Sequence, residues 1–260
     1  MFITSKDNDL IKHIRKLKEK KYRDEFGEFI VEGAKMIEEA INETANIKYI
    51  VVCDDCKTEN SMTKEQLYDF AKYECVYVNE KIFNLITDVV APQGILAVVE
   101  KPAISDAKID YKADNFLILD NIQDPGNMGT ILRTADSLNM KQIIVSKGTA
   151  DCYNSKVVRS TMGAIFRVNV IERELDKVIK EMKKRDIKVY ATDLKTNKTI
   201  YDVDYRKSAV IIGNEANGVS QDILELADER IKIPMTGKTE SLNASVATGI
   251  ILYEINRRSF

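Results

Sequence analysis

The sequence predicts an α/β protein organised as two domains, and three observations carry that prediction. Short apolar runs alternate with segments of helical periodicity along the chain. A polar, proline-bearing stretch, Lys101-Pro102-Ala103-Ile104-Ser105-Asp106-Ala107, interrupts the alternation and reads as a linker. The runs after it are more continuously apolar than those before it, as the strands of a parallel sheet covered on both faces are. With 260 residues, 44% of them hydrophobic, the chain is long enough for one large domain or two small ones. The expected division is a smaller α/β domain over residues 1–100, a linker over 101–113 and a parallel-sheet domain over 114–260.

Taken in order, residues 8–21 read as a helix with Leu10, Ile11, Ile14 and Leu17 on one face and Lys12, Arg15, Lys16, Lys18, Lys20 and Lys21 on the other. A second helix is predicted over 33–45, with Met36, Ile37, Ala40 and Ile41 apolar, followed by a buried strand at 47–53. Helices at 63–72 and 80–86 and strands at 75–78 and 95–100 complete the first domain. Beyond the linker the clearest strands are 116–120, 142–146, 187–191 and 209–213, with helical patterns at 128–139, 174–185 and 220–227. The final segment, 241–258, is a long helix in which Ala244, Ser245, Ala247 and Gly249 permit close approach of another helix or backbone.

Composition excludes several function classes. The 39 basic and 41 acidic residues leave a net charge of −2, which argues against a protein that coats nucleic acid by bulk charge. The average conceals a basic arm: between Lys6 and Arg23 eight cations face three acids, a local +5 that attracts phosphate. No apolar run reaches spanning length and the N-terminus has no apolar core of a signal peptide, so a cytoplasmic protein without membrane contact is expected. Four cysteines suit reduced thiols in a reducing compartment; Cys53-Asp54-Asp55-Cys56 has the spacing of a metal or redox pair, or is a strand end with a loop, and no metal is expected. His13 is the sole histidine, which excludes histidine-based triads and multi-histidine metal sites.

Three polar, glycine-bearing patches concentrate the chemistry. The first, Asn121-Ile122-Gln123-Asp124-Pro125-Gly126-Asn127, runs from a strand end into a helix whose start offers unpaired N–H groups, with Arg133 about one turn in. In the second, Gly213-Asn214-Glu215-Ala216-Asn217-Gly218, an apolar strand ends in a glycine that lets the backbone approach a ligand closely. Glu215 there disfavours a pyrophosphate. The third leads from Ile231-Lys232-Ile233-Pro234-Met235 through Gly237-Lys238-Thr239 to Glu240-Ser241-Leu242-Asn243; Ser241 or Asn243 is placed to cap the last helix, and no glycine-rich phosphate cradle precedes Lys238.

In this order and spacing the patches resemble the three signature motifs of the SpoU/TrmH family of RNA ribose methyltransferases, within the SPOUT superfamily. The resemblance covers roughly residues 115–258 and includes Ser155-Lys156-Val157-Val158-Arg159 with Gly163-Ala164 between motifs. It implies an S-adenosylmethionine-dependent enzyme that methylates a ribose 2′-hydroxyl, a deep trefoil knot in the C-terminal domain, and a homodimer. Phe29-Ile30-Val31-Glu32-Gly33 followed by a helix resembles the family's substrate-binding extension, which is similar to certain RNA-binding ribosomal proteins; this favours 23S ribosomal RNA over transfer RNA as substrate. Carried over, the cofactor-binding positions are Thr192, Gly213, Ile233 and Leu242, chiefly through backbone groups. The catalytic candidates are Arg133, Asn127, Glu215 and Asn243: Arg133 to bind a flanking phosphate and stabilise charge on the ribose oxygen, Asn127 and Asn243 to orient Arg133 or the ribose, and Glu215 to hold Arg133 or neighbouring amides. Lys12, Arg15, Lys16, Lys156, Arg159 and Ser241 are the RNA-binding candidates, with Ser241 alternatively a helix cap. The competing readings are a transfer RNA methyltransferase, a non-catalytic RNA-binding protein that keeps the fold, and a small-molecule enzyme of Rossmann type. The absence of a dinucleotide loop weighs against the last.

Overall fold

The computed structural model describes residues 1–56, 62–102 and 109–257. Part of the expected linker, residues 103–108, and the last residue of the expected C-terminal helix, Arg258, lie outside these. The chain forms two compact units. One comprises Met1–Ile104 with Tyr153–Phe166, the other Ser105–Cys152 with Arg167–Phe260.

The first unit holds a mixed sheet in the order β1 (Phe2–Ile3), β4 (Cys75–Val78), β3 (Ile47–Cys53), β5 (Ile95–Glu100), β2 (Glu28–Glu32). β5 runs antiparallel to both β2 and β3, while β3 and β1 run parallel to β4. Ile11, Ile14 and Leu17 bury the predicted apolar face against Val51, Val76, Val78 and Phe83. The single helix expected over 8–21 is two helices, α1 (Asp9–Lys16) and α2 (Lys20–Phe26). The break has a physical cause: the buried Arg23 guanidinium donates to the Leu17 and Lys18 carbonyls at 2.8 and 2.7 Å, a tie that a continuous helix would forbid. Helices α3 (Ala34–Asn42), α4 (Lys64–Phe70) and α5 (Glu80–Ile86) fall within their predicted spans.

Residues 153–166, which the sequence places with the later domain, group with this first unit. Their helix α7 (Ser155–Thr161) packs on β2, and the Phe29 ring meets Tyr153 at 4.8 Å and Phe166 at 6.3 Å. Cys53 and Cys56 are joined by a disulfide, so the expectation of reduced thiols fails for this pair. Cys53 ends β3, and the intervening turn brings the two sulfurs together.

The second unit is a six-stranded sheet in the order β11 (Glu229–Ile231), β9 (Lys188–Thr192), β10 (Ser208–Gly213), β6 (Asn115–Asp120), β7 (Gln142–Val145), β8 (Asn169–Glu172), with every pairing parallel. β10 is buried along its whole length, as its continuous apolar run predicts. One face packs on α8 (Leu175–Lys183) and α9 (Gln221–Leu226), through Leu175, Val178, Ile179, Met182 and Ile223. α6 (Pro125–Ser137) and the C-terminal helix α10 (Ala244–Asn256) pack against each other. None of the described helices is long and apolar enough to cross a membrane.

Candidate active site

The carboxyl ends of β6 and β10 are neighbours at the middle of the parallel sheet, Asp120 opposite Gly213. The chain leaves β6 toward β7 and β8 on one side and comes back to β9, β10 and β11 on the other. The two strand ends therefore flank the point where the winding reverses, the place where open α/β sheets bind ligands.

Local chemistry shapes each loop there. Asp124 caps α6, its carboxylate accepting the Asn127 N–H at 2.8 Å, and Pro125 occupies the first helical position, where no N–H is needed. A Cβ on Gly213 would lie 2.0 Å from the Val219 backbone nitrogen. The sequence alone suggests ligand approach at this glycine, but the close approach is made by the protein's own turn, in which Asn214 bridges Gly218 and Gly218 adopts φ +69°. Asn214 holds that turn with its Oδ1, accepting from the Ala216 and Asn217 N–H groups, while its Nδ2 donates to the Asn121 carbonyl at 2.9 Å. Asp120 accepts both the N–H and the hydroxyl of Ser220. The sequence reading misses Asn214 and Asp120. Polar residues closing apolar strands were the available signal.

A chain of hydrogen bonds joins the three motifs. The Glu215 carboxylate accepts the Gln123 and Asp124 N–H groups, both at 3.1 Å, and the Asn127 side-chain amide at 3.0 Å. Asn127 Oδ1 accepts from Asn243 Nδ2 at 2.9 Å. Asn243 Oδ1 caps α10, accepting the Ser245 and Val246 N–H groups, so Asn243 rather than Ser241 is the cap. Burial alone would raise the Glu215 pKa, but the Asn127 amide and the backbone N–H bonds outweigh it and hold the carboxyl below its usual range.

Arg133 stands outside this network. It is exposed on α6 and has no hydrogen bond or ion pair among the described residues, so neither Glu215 nor the two asparagines hold it. Thr192 ends β9, and its hydroxyl donates to the Ile211 carbonyl at 3.0 Å. Ile233 and Leu242 lie in the loop between β11 and α10. Over residues 233–242 no backbone group bonds to another backbone group of the described protein. Every residue there except Pro234 presents an N–H, and all present a carbonyl. Such a stretch fits a ligand that, like adenosine, offers both donors and acceptors. The small residues of α10 serve its packing on α6: a Cβ on Gly249 would sit 3.7 Å from Thr134 Cγ2. Ser241 is exposed beside Leu242.

The other RNA-binding candidates belong to the first unit. Lys12, Arg15 and Lys16 are exposed on α1; Lys12 pairs with Asp9 at 3.6 Å, and the Lys16 ammonium lies 5.4 Å from the Tyr22 ring centroid. Two cations of the basic arm are structural. Lys18 donates to the Thr87 carbonyl and pairs with Asp88, and Arg23 is buried. Lys156 and Arg159 lie on α7.

Residues 114–253 match the SpoU rRNA Methylase family, and residues 8–97 match the MRM3-like substrate binding domain. The chain is 34% identical to the 23S rRNA (guanosine(2553)-2′-O)-methyltransferase RlmP of Bacillus subtilis, over 97% of this chain and 98% of that one. It is similar to the structure of an AdoMet-bound rRNA methyltransferase from Sinorhizobium meliloti, with 30% identity, 100% and 98% coverage and a TM-score of 0.86. It also resembles the SpoU methyltransferase AviRb from Streptomyces viridochromogenes in complex with AdoMet, at 26% identity, 97% and 98% coverage and a TM-score of 0.85.

Proposed function

From the premise that this chain belongs to the SpoU rRNA methylase family, we propose that it transfers a methyl group from S-adenosylmethionine to a ribose 2′-hydroxyl of 23S ribosomal RNA. The observation that carries the reading is the chain Glu215–Asn127–Asn243, which joins the three motif loops at the switch point while leaving Arg133 uncommitted on the same helix.

S-adenosylmethionine supplies the electrophilic methyl group. The backbone of residues 233–242, with Gly213 and Thr192 at neighbouring strand ends, is the part of this chain suited to hold it. Recognition there falls to main-chain groups, so Ile233 and Leu242 contribute through their N–H and C=O. Arg133 binds the phosphate beside the target ribose and stabilises negative charge developing on the 2′-oxygen. A guanidinium with a pKa above about 12 is a poor free base, so its role is electrostatic. Glu215, Asn127 and Asn243 act one step back, fixing the start of α6 against α10 so that Arg133 is presented in one orientation. Lys12, Arg15, Lys16, Lys156 and Arg159 gather RNA phosphate on the first unit, with Ser241 a contact beside the cofactor loop.

The trefoil knot that family membership implies, and a homodimer, belong to the same proposal, as does a cytoplasmic location with the ribosome's RNA. The exposed apolar side chains of Val246, Ile250 and Tyr253 on α10 support a two-fold contact. Light scattering of the purified protein reads out a dimer; a monomer at micromolar concentration overturns that part. Mass spectrometric mapping of 2′-O-methyl nucleotides in RNA from cells with and without the gene tests the activity. One 23S position loses its methyl group, and an unchanged map overturns the substrate. A change confined to transfer RNA selects the alternative substrate.

A further inference from the structure

Within the first unit lies a cleft of about 350 Å³ lined by Glu32, Gly33, Lys35, Met36, Gln93 and Arg159. Arg159 Nη1 is sealed from solvent and has no hydrogen-bond partner among the described residues. A buried donor left without an acceptor is unfavourable, more so when charged, so a guanidinium nitrogen held this way calls for an acceptor. α7 holds it there, because the flanking Val157 and Val158 are fully buried.

The start of α3 opens on the same cleft. Gly33 provides no capping side chain, and no acid stands in the first turn. Gln93 Oε1 accepts the Ala34 N–H at 3.0 Å. The next two N–H groups, of Lys35 and Met36, donate to no backbone carbonyl outside their helix among the described residues. The Lys35 ammonium is exposed. Guanidinium, main-chain amides at a helix start and an ammonium together match an anion with several oxygens. Glu32 also lines the cleft and attracts Arg159. Its carboxyl accepts the Thr87 hydroxyl, and burial pushes its pKa up against that bond.

We propose that this cleft is a subsite for one phosphodiester of the RNA substrate, bound by Arg159, Lys35 and the first turn of α3. The proposal deepens the reading of the protein as an RNA methyltransferase and rests on it. It separates Arg159 from the exposed cations of α1: Arg159 takes one defined phosphate in a formed cleft, whereas Lys12, Arg15 and Lys16 contribute a diffuse field.

The test uses the full-length protein and protein-free 23S ribosomal RNA in filter binding between about 50 and 200 mM salt. For Arg159→Gln, affinity falls about five- to tenfold and the slope of log K against log salt becomes shallower by nearly one. Lys35→Gln, on the exposed helix surface, shows the same slope change with a loss of about two- to threefold. Melting temperature and S-adenosylmethionine affinity accompany each measurement. If Arg159→Gln unfolds, Lys35→Gln decides alone. Wild-type slope and affinity in the folded variants overturn the subsite. Inorganic phosphate is the second arm. Should it raise the melting temperature of the wild type but not of Arg159→Gln, while RNA affinity is the same in both, the cleft takes free phosphate and the RNA assignment falls. A wild-type protein that neither binds nor methylates 23S RNA overturns the parent reading, an outcome distinct from wild-type methylation with unaltered variants.

Discussion

Two loops of the second unit meet at the start of α6, and they treat their polar groups in opposite ways. The turn after β10 uses its polar groups internally: Asn214 holds its own turn, and Glu215 gathers two main-chain amides and the Asn127 side chain. The loop after β11, residues 233–242, makes no backbone hydrogen bond to the described protein. Yet both run into the same anchor, since Asn243, which closes the second loop, donates to the Asn127 that Glu215 holds. A saturated turn is rigid and positions other groups, whereas an unsaturated stretch of main chain is available to a ligand. The same division separates Asn127 from Arg133 on one helix, the first buried and doubly bonded, the second exposed and uncommitted.

Substitutions can break this contrast, beginning with the saturated side. Gly213→Ala places a Cβ against the Val219 backbone, which has no flexible end to yield, and costs more than about 3 kcal/mol in denaturant unfolding. Stability close to wild type would mean the turn is soft. Arg133→Ala lowers kcat about 100- to 1000-fold while S-adenosylmethionine affinity and melting temperature hold, because Arg133 has no partner among the described residues to lose. Single-turnover kinetics with saturating RNA give the number, and near-wild-type turnover removes Arg133 from the chemistry. Asn127→Ala leaves Glu215 and Asn243 each short of a partner and costs about 2 kcal/mol of stability together with activity, so its effect appears in both melting and turnover.

The remaining two sharpen the contrast. Glu215 has a depressed folded-state pKa, so its bonds stabilise the protein above the ordinary carboxylate value of about 4.5 and that contribution is lost as pH falls through the lower, folded value. Glu215→Gln costs about 1 kcal/mol at neutral pH, discounted for the exposure of the group. It also removes this residue's share of the acid dependence, read as a flatter stability profile between about pH 5 and 3. Ile233→Ala on the unsaturated side changes S-adenosylmethionine affinity by less than about threefold, because the N–H and C=O it presents are unchanged. A loss of tenfold or more in calorimetry would show that side-chain packing, not main chain, dominates there.

Much of this was legible in the residues. The helix expected from residue 128 begins at Pro125, and the sequence leaves the last cap open between Ser241 and Asn243, whereas the apolar runs that became β6 and β10 are signals contained in a few neighbouring residues. So is the motif order that marks the family. Less legible were the partners. The sequence offers Glu215 as a holder of Arg133 or of amides, and the amides 91 and 92 positions away take it. Arg23 belongs by sequence to the basic arm, but it turns inward and breaks the first helix. At Gly213 the sequence suggests the close approach of a ligand, whereas the neighbour a Cβ would meet there is the chain itself.

The sequence by itself determined the alternation of elements, the helix caps and the glycine positions. These depend on backbone dihedrals and side-chain periodicity, which act over one or two turns of chain. Only the tertiary structure decided which carboxylate meets which amide, that residues 153–166 join the first unit, and that Arg159 stands over the start of α3. A charged or hydrogen-bonding group accepts any complementary partner. The choice among partners distant in sequence is made when the strands pair and the apolar faces close, and that choice left Arg133 free while Glu215 was bound.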